Sequence, residues 1–148
     1  MGILTEEMKL LVREQSLGFV ATVCPDGTPN LSPKGTTTVW DDDHLVFAEI
    51  ASPQTIENLR SNPAVEVNVV DPILRKGYRF KGTATIHADG ELFERAIVLI
   101  HVEQAEALVS PVYSWGQTEE EVSAWWLRYW AERRTEARPH NSQASGGT

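Results

Sequence analysis

The chain has 148 residues, 41% of them hydrophobic and 23% charged, the size and balance of one globular domain built on one core. A formal net charge of −8 disfavours a broad polyphosphate-binding face, because nucleic-acid affinity comes mainly from clustered Lys and Arg, so an anionic ligand would need a local pocket. Cys24 is the only cysteine, which excludes an intrachain disulfide and a CxxC metal site.

The first fifteen residues carry early carboxylates and no long apolar run, so they read as neither a signal peptide nor a membrane span, and the expected compartment is the cytoplasm. Thr5 is placed to cap a helix running to about Gln15, with Met8, Leu11 and Val12 on one apolar stripe. From Leu17 to Cys24 the run is apolar on both alternating faces, the pattern of a strand covered on both sides. Pro25-Asp26-Gly27-Thr28 is turn chemistry, so a hairpin follows, returning along Pro29 to Lys34 and continuing into Thr36–Trp40. Asp41-Asp42-Asp43 turns the chain into the next strand, HLVFAEI. Ser52 and Pro53 open a helix whose buried side is Thr55, Ile56 and Leu59, and which Asn62-Pro63 ends.

Val65, Val67 and Val69 mark one face of the next strand. Tyr78 to His87 alternates apolar and polar residues in the longest strand predicted. Residues Gly90 to Gln104 read as a helix through Leu92, Phe93, Ala96, Ile97 and Ile100, with an extended segment from Ala107 to Trp115. Thr118 then caps a helix bearing Val122, Trp125, Trp126, Tyr129 and Trp130, an aromatic face suited to core or interface packing. The polar, Gly/Ser-rich tail from residue 136 to 148 is expected to be disordered, leaving residues 1–135 as a single domain. The sum is a mainly β, α+β chain of six strands with peripheral helices. Most connections are too short for crossover helices, so the strands form an antiparallel barrel.

The most informative residues for chemistry lie between Gly27 and Thr38 and from Ser52 to Thr55. Lys34 supplies a point charge, Gly35 permits close approach to backbone, and the helix opening at Ser52 offers free N–H groups at its positive dipole end. Those are the parts of a phosphate site. His44, His87 and His101 are scattered, and no spacing suggests metal ligands. No catalytic residue can be named.

The order of motifs resembles the pyridoxamine 5′-phosphate oxidase-like family: T-x-x-x-D-G-x-P from Thr22 to Pro29, L-x-F at Leu45 to Phe47, S-x-x-x-x-x-N-L-R-x-N-P from Ser52 to Pro63, and G-Y-R-F-K-G from Gly77 to Gly82. The resemblance implies a six-stranded split β-barrel working as a homodimer, with FMN held at the subunit interface. By resemblance, Ser32, Lys34, Gly35, Thr36 and Thr37 line the flavin and its ribityl phosphate, Ala48 and Glu49 follow the next strand's end, and Ser52 with Gln54 holds the phosphate. Many relatives carry Lys where Gln54 stands, which leaves Lys34 or Lys81 to supply charge. The Arg and His residues that grip the substrate in true pyridoxamine 5′-phosphate oxidases have no convincing counterpart. The implied activity is therefore an FMN-dependent oxidoreductase acting on another small molecule, with NAD(P)H as a possible donor. The alternatives are a non-catalytic FMN-binding module and a split barrel that binds F420 or haem.

Overall fold

A computed structural model describes residues 1–87, 95–109, 121, 124, 125, 127–129, 131 and 132. Residues Met1–Val109 form one compact unit and Ser110–Thr148 a second. In the second, the described residues are helical, and Trp125 stacks on Tyr129 one turn later with ring centroids 5.3 Å apart. The rest of the expected aromatic face, Trp115 and the tail from 136 to 148 lie outside the described residues, as do residues 90–94 of the helix expected there. No helix among the described residues is long and apolar enough to cross a membrane.

In the first unit, helix α1 (Glu6–Gln15) starts where the Thr5 hydroxyl accepts the Met8 N–H at 3.3 Å and ends at Ser16 in the left-handed conformation, φ 50°. Seven strands follow: β1 (Gly18–Val23), β2 (Pro29–Lys34), β3 (Thr38–Val39), β4 (His44–Ala48), β5 (Ala64–Asp71), β6 (Lys76–His87) and β7 (Ile97–Val109), with helix α2 (Pro53–Ser61) between β4 and β5. They form one sheet in the order β2-β1-β5-β6-β7-β4-β3, and every pairing is antiparallel.

This order forces the sheet to curl. Laid flat, six interstrand steps of about 4.8 Å would put the β2 and β3 edges about 29 Å apart. Yet Lys34 and Thr38 are joined only by Gly35, Thr36 and Thr37, a link that reaches at most about 14 Å. The two edges must therefore meet, which makes the sheet a split barrel. Inside it lie Val20, Leu45, Phe47, Val67, Val69, Phe80, Val98, Ile100 and Val102, all at most 1% exposed, so burial of this apolar surface drives the closure. Ile56 and Leu59 of α2 and Val12 of α1 join the same cluster.

Four details depart from the sequence reading. The described residues form seven strands, because the expected continuation of β2 breaks at Gly35 and restarts as β3 at the opposite edge of the sheet. The segment read as a helix from Gly90 to Gln104 is, from Ile97 onward, the strand β7, at 13 residues longer than the 12 of β6. Apolar residues at Ala96, Ile97 and Ile100 fit a helical stripe, but the run Ile97-Val98-Leu99-Ile100, β-branched at three of its four positions, finds partner strands on both sides, and that pairing decides the conformation. The expected extended segment begins inside this strand, at Ala107. Finally, β1 is covered on one face only: Gly18, Val20 and Thr22 are buried while Phe19 is 38% exposed.

The long β6–β7 pair carries a register shift between Lys81 and Gly82. A Cβ on Gly82 would lie 1.9 Å from the His101 carbonyl oxygen, so the bulge exists only because this position has no side chain. Elsewhere, Lys9 sits buried under α1 and reaches Asp42, in the loop before β4, at 2.5 Å and Glu6 at 2.7 Å. Hydrogen bonding to Asp42, then to Glu6, holds Lys9 above its ordinary 10.5. The same Lys9 contact holds the Asp42 carboxyl below its ordinary 3.8.

Two outcomes are expected. Gly82→Ala should destabilise the fold by at least about 2 kcal/mol through backbone overlap, whereas Gly35→Ala, where a Cβ meets nothing within 4 Å, should stay within about 0.5 kcal/mol of wild type; urea denaturation measures both. Asp42 has a depressed folded-state pKa, so its contribution is present above the ordinary value of 3.8 and is lost as pH falls through the lower folded value. Thermal melts of Asp42→Asn should accordingly lie below wild type at neutral pH, and the gap should close in strong acid.

Candidate functional site

The barrel seam, where the exits of β2 and β4 meet the start of α2, carries the site. Lys34 ends β2 and Glu49 follows β4, and their Nζ–Oε2 distance is 2.6 Å with side chains only 5% and 8% exposed. The second carboxylate oxygen, Oε1, accepts the Ala51 N–H at 3.1 Å and also the Ser52 N–H. One carboxylate therefore neutralises a buried cation and occupies the positive end of a helix. The Lys34 ammonium also sits 5.7 Å from the centroid of the Phe47 ring.

Hydroxyl groups complete the seam. Thr36 Oγ1 donates to the Ala48 carbonyl at 2.9 Å and accepts the Ala48 N–H at 3.0 Å, so a side chain takes the place of a partner strand at the end of β4. Thr37, 1% exposed, donates its hydroxyl to the Lys34 carbonyl at 2.8 Å and closes the turn that lets β3 leave β2. Ser32 and Ser52 face each other with Oγ atoms 3.4 Å apart. Ser52 is the N-cap residue of α2, but its side chain makes no capping bond, and the Glu49 carboxylate holds the backbone N–H groups of Ala51 and Ser52 that lead into the helix.

The structure thus brings together Ser32, Lys34, Thr36, Thr37, Ala48, Glu49 and Ser52, with Gly35 exposed in the same turn and Gln54 exposed on the first turn of α2. Gln54 donates to Asn58 Oδ1 at 2.8 Å. Lys81 does not join them. It lies on β6, half exposed and 3.8 Å from Glu66, and lines a separate cleft of about 420 Å³ with Ala21, Thr22 and Gln104.

Three residues escaped the sequence reading. Thr55 was read as part of the apolar side of α2, yet its hydroxyl is the one buried side-chain polar atom among the described residues without a hydrogen-bond partner; its neighbour in sequence, the Ser-Pro helix start, was the available signal. Asn58, the first residue of the N-L-R motif, is 0% exposed and donates to Thr22 Oγ1 at 3.0 Å, tying α2 to β1. Arg95 precedes β7 and donates to the Ile50 carbonyl at 3.0 Å, a contact that no local pattern signals.

Arg95 belongs to a cavity of about 470 Å³ whose other walls include Thr36, Val46, Ala48, Ile50 and Ile97. Its volume falls in the range of small-molecule sites, and its lining is mostly apolar with few polar groups, as such sites are. Thr36 and Ala48 line the cavity and also take part in the seam, so the two are contiguous. Among the described residues no group of three or more His, Cys, Asp or Glu side chains could hold a metal ion. Two of the scattered histidines are cross-strand partners: His44 and His101 have ring centroids 4.9 Å apart, and His44 Nδ1 lies 2.7 Å from Asp41.

Because removal of one partner strands a buried charge, Glu49→Ala should cost about 3–5 kcal/mol. Adding Lys34→Met should recover much of that loss, as an apolar pair can replace a buried ion pair. Urea denaturation of the two single variants and the double variant measures this, and additive losses would show that the two groups do not act as a pair.

Comparisons with known proteins agree with this architecture. The chain is 37% identical to Group A Streptococcus HupZ, with a TM-score of 0.66, over 72% of this chain and 95% of that one. A Lactobacillus delbrueckii protein named for pyridoxamine 5′-phosphate oxidase is 28% identical, with a TM-score of 0.65, over 72% and 95% of the two chains. An uncharacterized protein of Methanocaldococcus jannaschii is 30% identical over 95 residues, 63% of this chain. The chain spans 62% of the length of that curated relative. The sequence model of pyridoxamine 5′-phosphate oxidase matches residues 4–129, and with the curled antiparallel sheet in place the chain belongs to the pyridoxamine 5′-phosphate oxidase family.

Proposed function

We propose that this protein binds a flavin, FMN by family resemblance, with its ring in the cavity outside β4 and its tail directed toward the seam, and that it acts as an oxidoreductase on a small molecule. The observation that carries the reading is the convergence of three sequence segments, Ser32–Thr37, Ala48–Glu49 and Ser52–Thr55, on one contiguous cavity and seam. The apolar walls Val46, Ile50 and Ile97 suit a planar ring, and Thr36 offers a hydroxyl at the junction. The unpartnered Thr55 hydroxyl and the facing Ser32 and Ser52 hydroxyls suit a polar tail, since a buried polar atom without a partner is costly and rare. When bound, the flavin would supply hydride exchange at N5, while the chain supplies orientation, hydrogen bonds and exclusion of water.

A homodimer with the flavin at the subunit interface is part of the proposal, and the partly exposed outer face of β1 and β2, with Phe19 at 38% and Leu31 at 65%, gives a second copy apolar surface to cover. NAD(P)H is the proposed donor. The second reading, a non-catalytic flavin carrier, is favoured by one observation: the acid and the base of the seam, Glu49 and Lys34, are bound to each other and neither is free to move a proton.

Titration of the purified protein with FMN should quench flavin fluorescence saturably at one flavin per chain. Ala48→Trp, which fills the cavity, should weaken binding by about tenfold or more while the melting temperature holds. Absence of saturable quenching in the wild type would remove both flavin readings. Bleaching of the bound flavin by NAD(P)H would select the oxidoreductase, and its failure the carrier.

A further inference from the structure

The seam that the flavin reading assigns to a phosphate already holds an anion of the chain's own. A dianion at the start of α2 would need the first amides of the helix and a nearby cation. Glu49 holds that cation and the two amides leading into the helix: Lys34 Nζ at 2.6 Å through Oε2, and the Ala51 and Ser52 N–H groups through Oε1. The carboxylate is 8% exposed, so it is an internal part of the barrel rather than a surface charge that drifts aside. Two nearby polar side chains that could add to the charge or donate are engaged as well. Gln54 stands where a lysine would add a positive charge and points its amide at Asn58. Arg95, the cation of the cavity, is bonded to the Ile50 carbonyl. No acidic residue occupies the first turn of α2 itself, which leaves Glu49 as the group that sets the charge there.

Resting on the flavin reading, we infer that Glu49 is a specificity residue which stands in for the phosphate and removes its advantage. The seam then accepts a neutral, hydroxyl-bearing tail, hydrogen-bonded by Ser32, Ser52 and Thr55, as readily as a phosphorylated one. A dianion can enter only by expelling Glu49 from Lys34 and from two amides, or by lying beside it at the cost of like-charge repulsion. Riboflavin and FMN therefore differ little in affinity for the wild-type protein.

Fluorescence titration of wild type and Glu49→Gln with FMN and with riboflavin tests this. Wild type should bind the two within about tenfold of one another. Glu49→Gln should gain about tenfold or more for FMN, with riboflavin unchanged. A wild-type preference for FMN of about a hundredfold, or no FMN gain in a folded Glu49→Gln, overturns the inference and leaves the flavin reading standing. A flavin-free measurement runs alongside, comparing melting temperatures in inorganic phosphate and in sodium chloride at equal ionic strength. Wild type should show no saturable phosphate stabilisation and Glu49→Gln should show it. If neither flavin binds while phosphate stabilises only the variant, the flavin reading fails and the role of Glu49 holds. Should Glu49→Gln not fold, the wild type still decides: saturable stabilisation by phosphate overturns the inference, and its absence supports it.

Discussion

The three-residue link between β2 and β3 is the constraint on which the rest of the structure depends. It joins strands at opposite ends of the sheet order, so the sheet can satisfy its chain connectivity only by curling until its edges meet. Curling brings Lys34 and Glu49, fifteen residues apart in sequence, to 2.6 Å. Once shielded from water, that pair makes separation of the edges costly, because each partner would be left as an uncompensated buried charge. Hydrophobic burial inside the barrel supplies the driving force, the short link decides which edges meet, and the ion pair helps to hold them together.

The same seam explains how a strand of only two residues persists. β3 pairs with β4 through Thr38 and Val39 alone, too little for an independent ladder. Its support comes from side chains and loops at both ends. Thr36 satisfies the backbone of Ala48 in place of a strand, while Lys9 of α1 holds Asp42 beyond the other end. Leu4 N–H adds a bond to the Asp42 carbonyl at 2.9 Å. Both buried lysines of the described residues are thereby engaged near β3, Lys34 across the seam and Lys9 from α1 to the loop after β3.

Much of this was legible in the sequence where local rules govern. Thr5 as a cap, Pro25–Thr28 as a turn, Pro53 at the first position of α2 and the valine alternation of β5 are consequences of neighbours a few residues apart. The ordered motifs also marked the segments that meet at the site. The failures share a cause. β7 was read as a helix because its apolar spacing fits both periods, and only pairing with β4 and β6 separates them. Lys34 was read as a free cation because its counter-ion lies across the seam, and a partner created by closure leaves no trace in local pattern. Lys81 reads as an equivalent cation in sequence, but its strand places it in another cleft.

The role of Lys34 changes how the charge of the molecule bears on its ligand. With a formal charge of −8, the protein repels anions at long range, and only local positive groups can reverse that. At the seam the local sum is close to zero, because Glu49 cancels Lys34, and the dipole end of α2 is already turned toward the same carboxylate. What the site still offers is apolar wall, hydroxyl groups and one arginine at the cavity. On the proposed flavin reading, recognition there rests on ring burial and on hydrogen bonds to neutral oxygens, with charge in a secondary part. On the same reading, an internal carboxylate closes the seam at the place where a phosphate would otherwise be gripped.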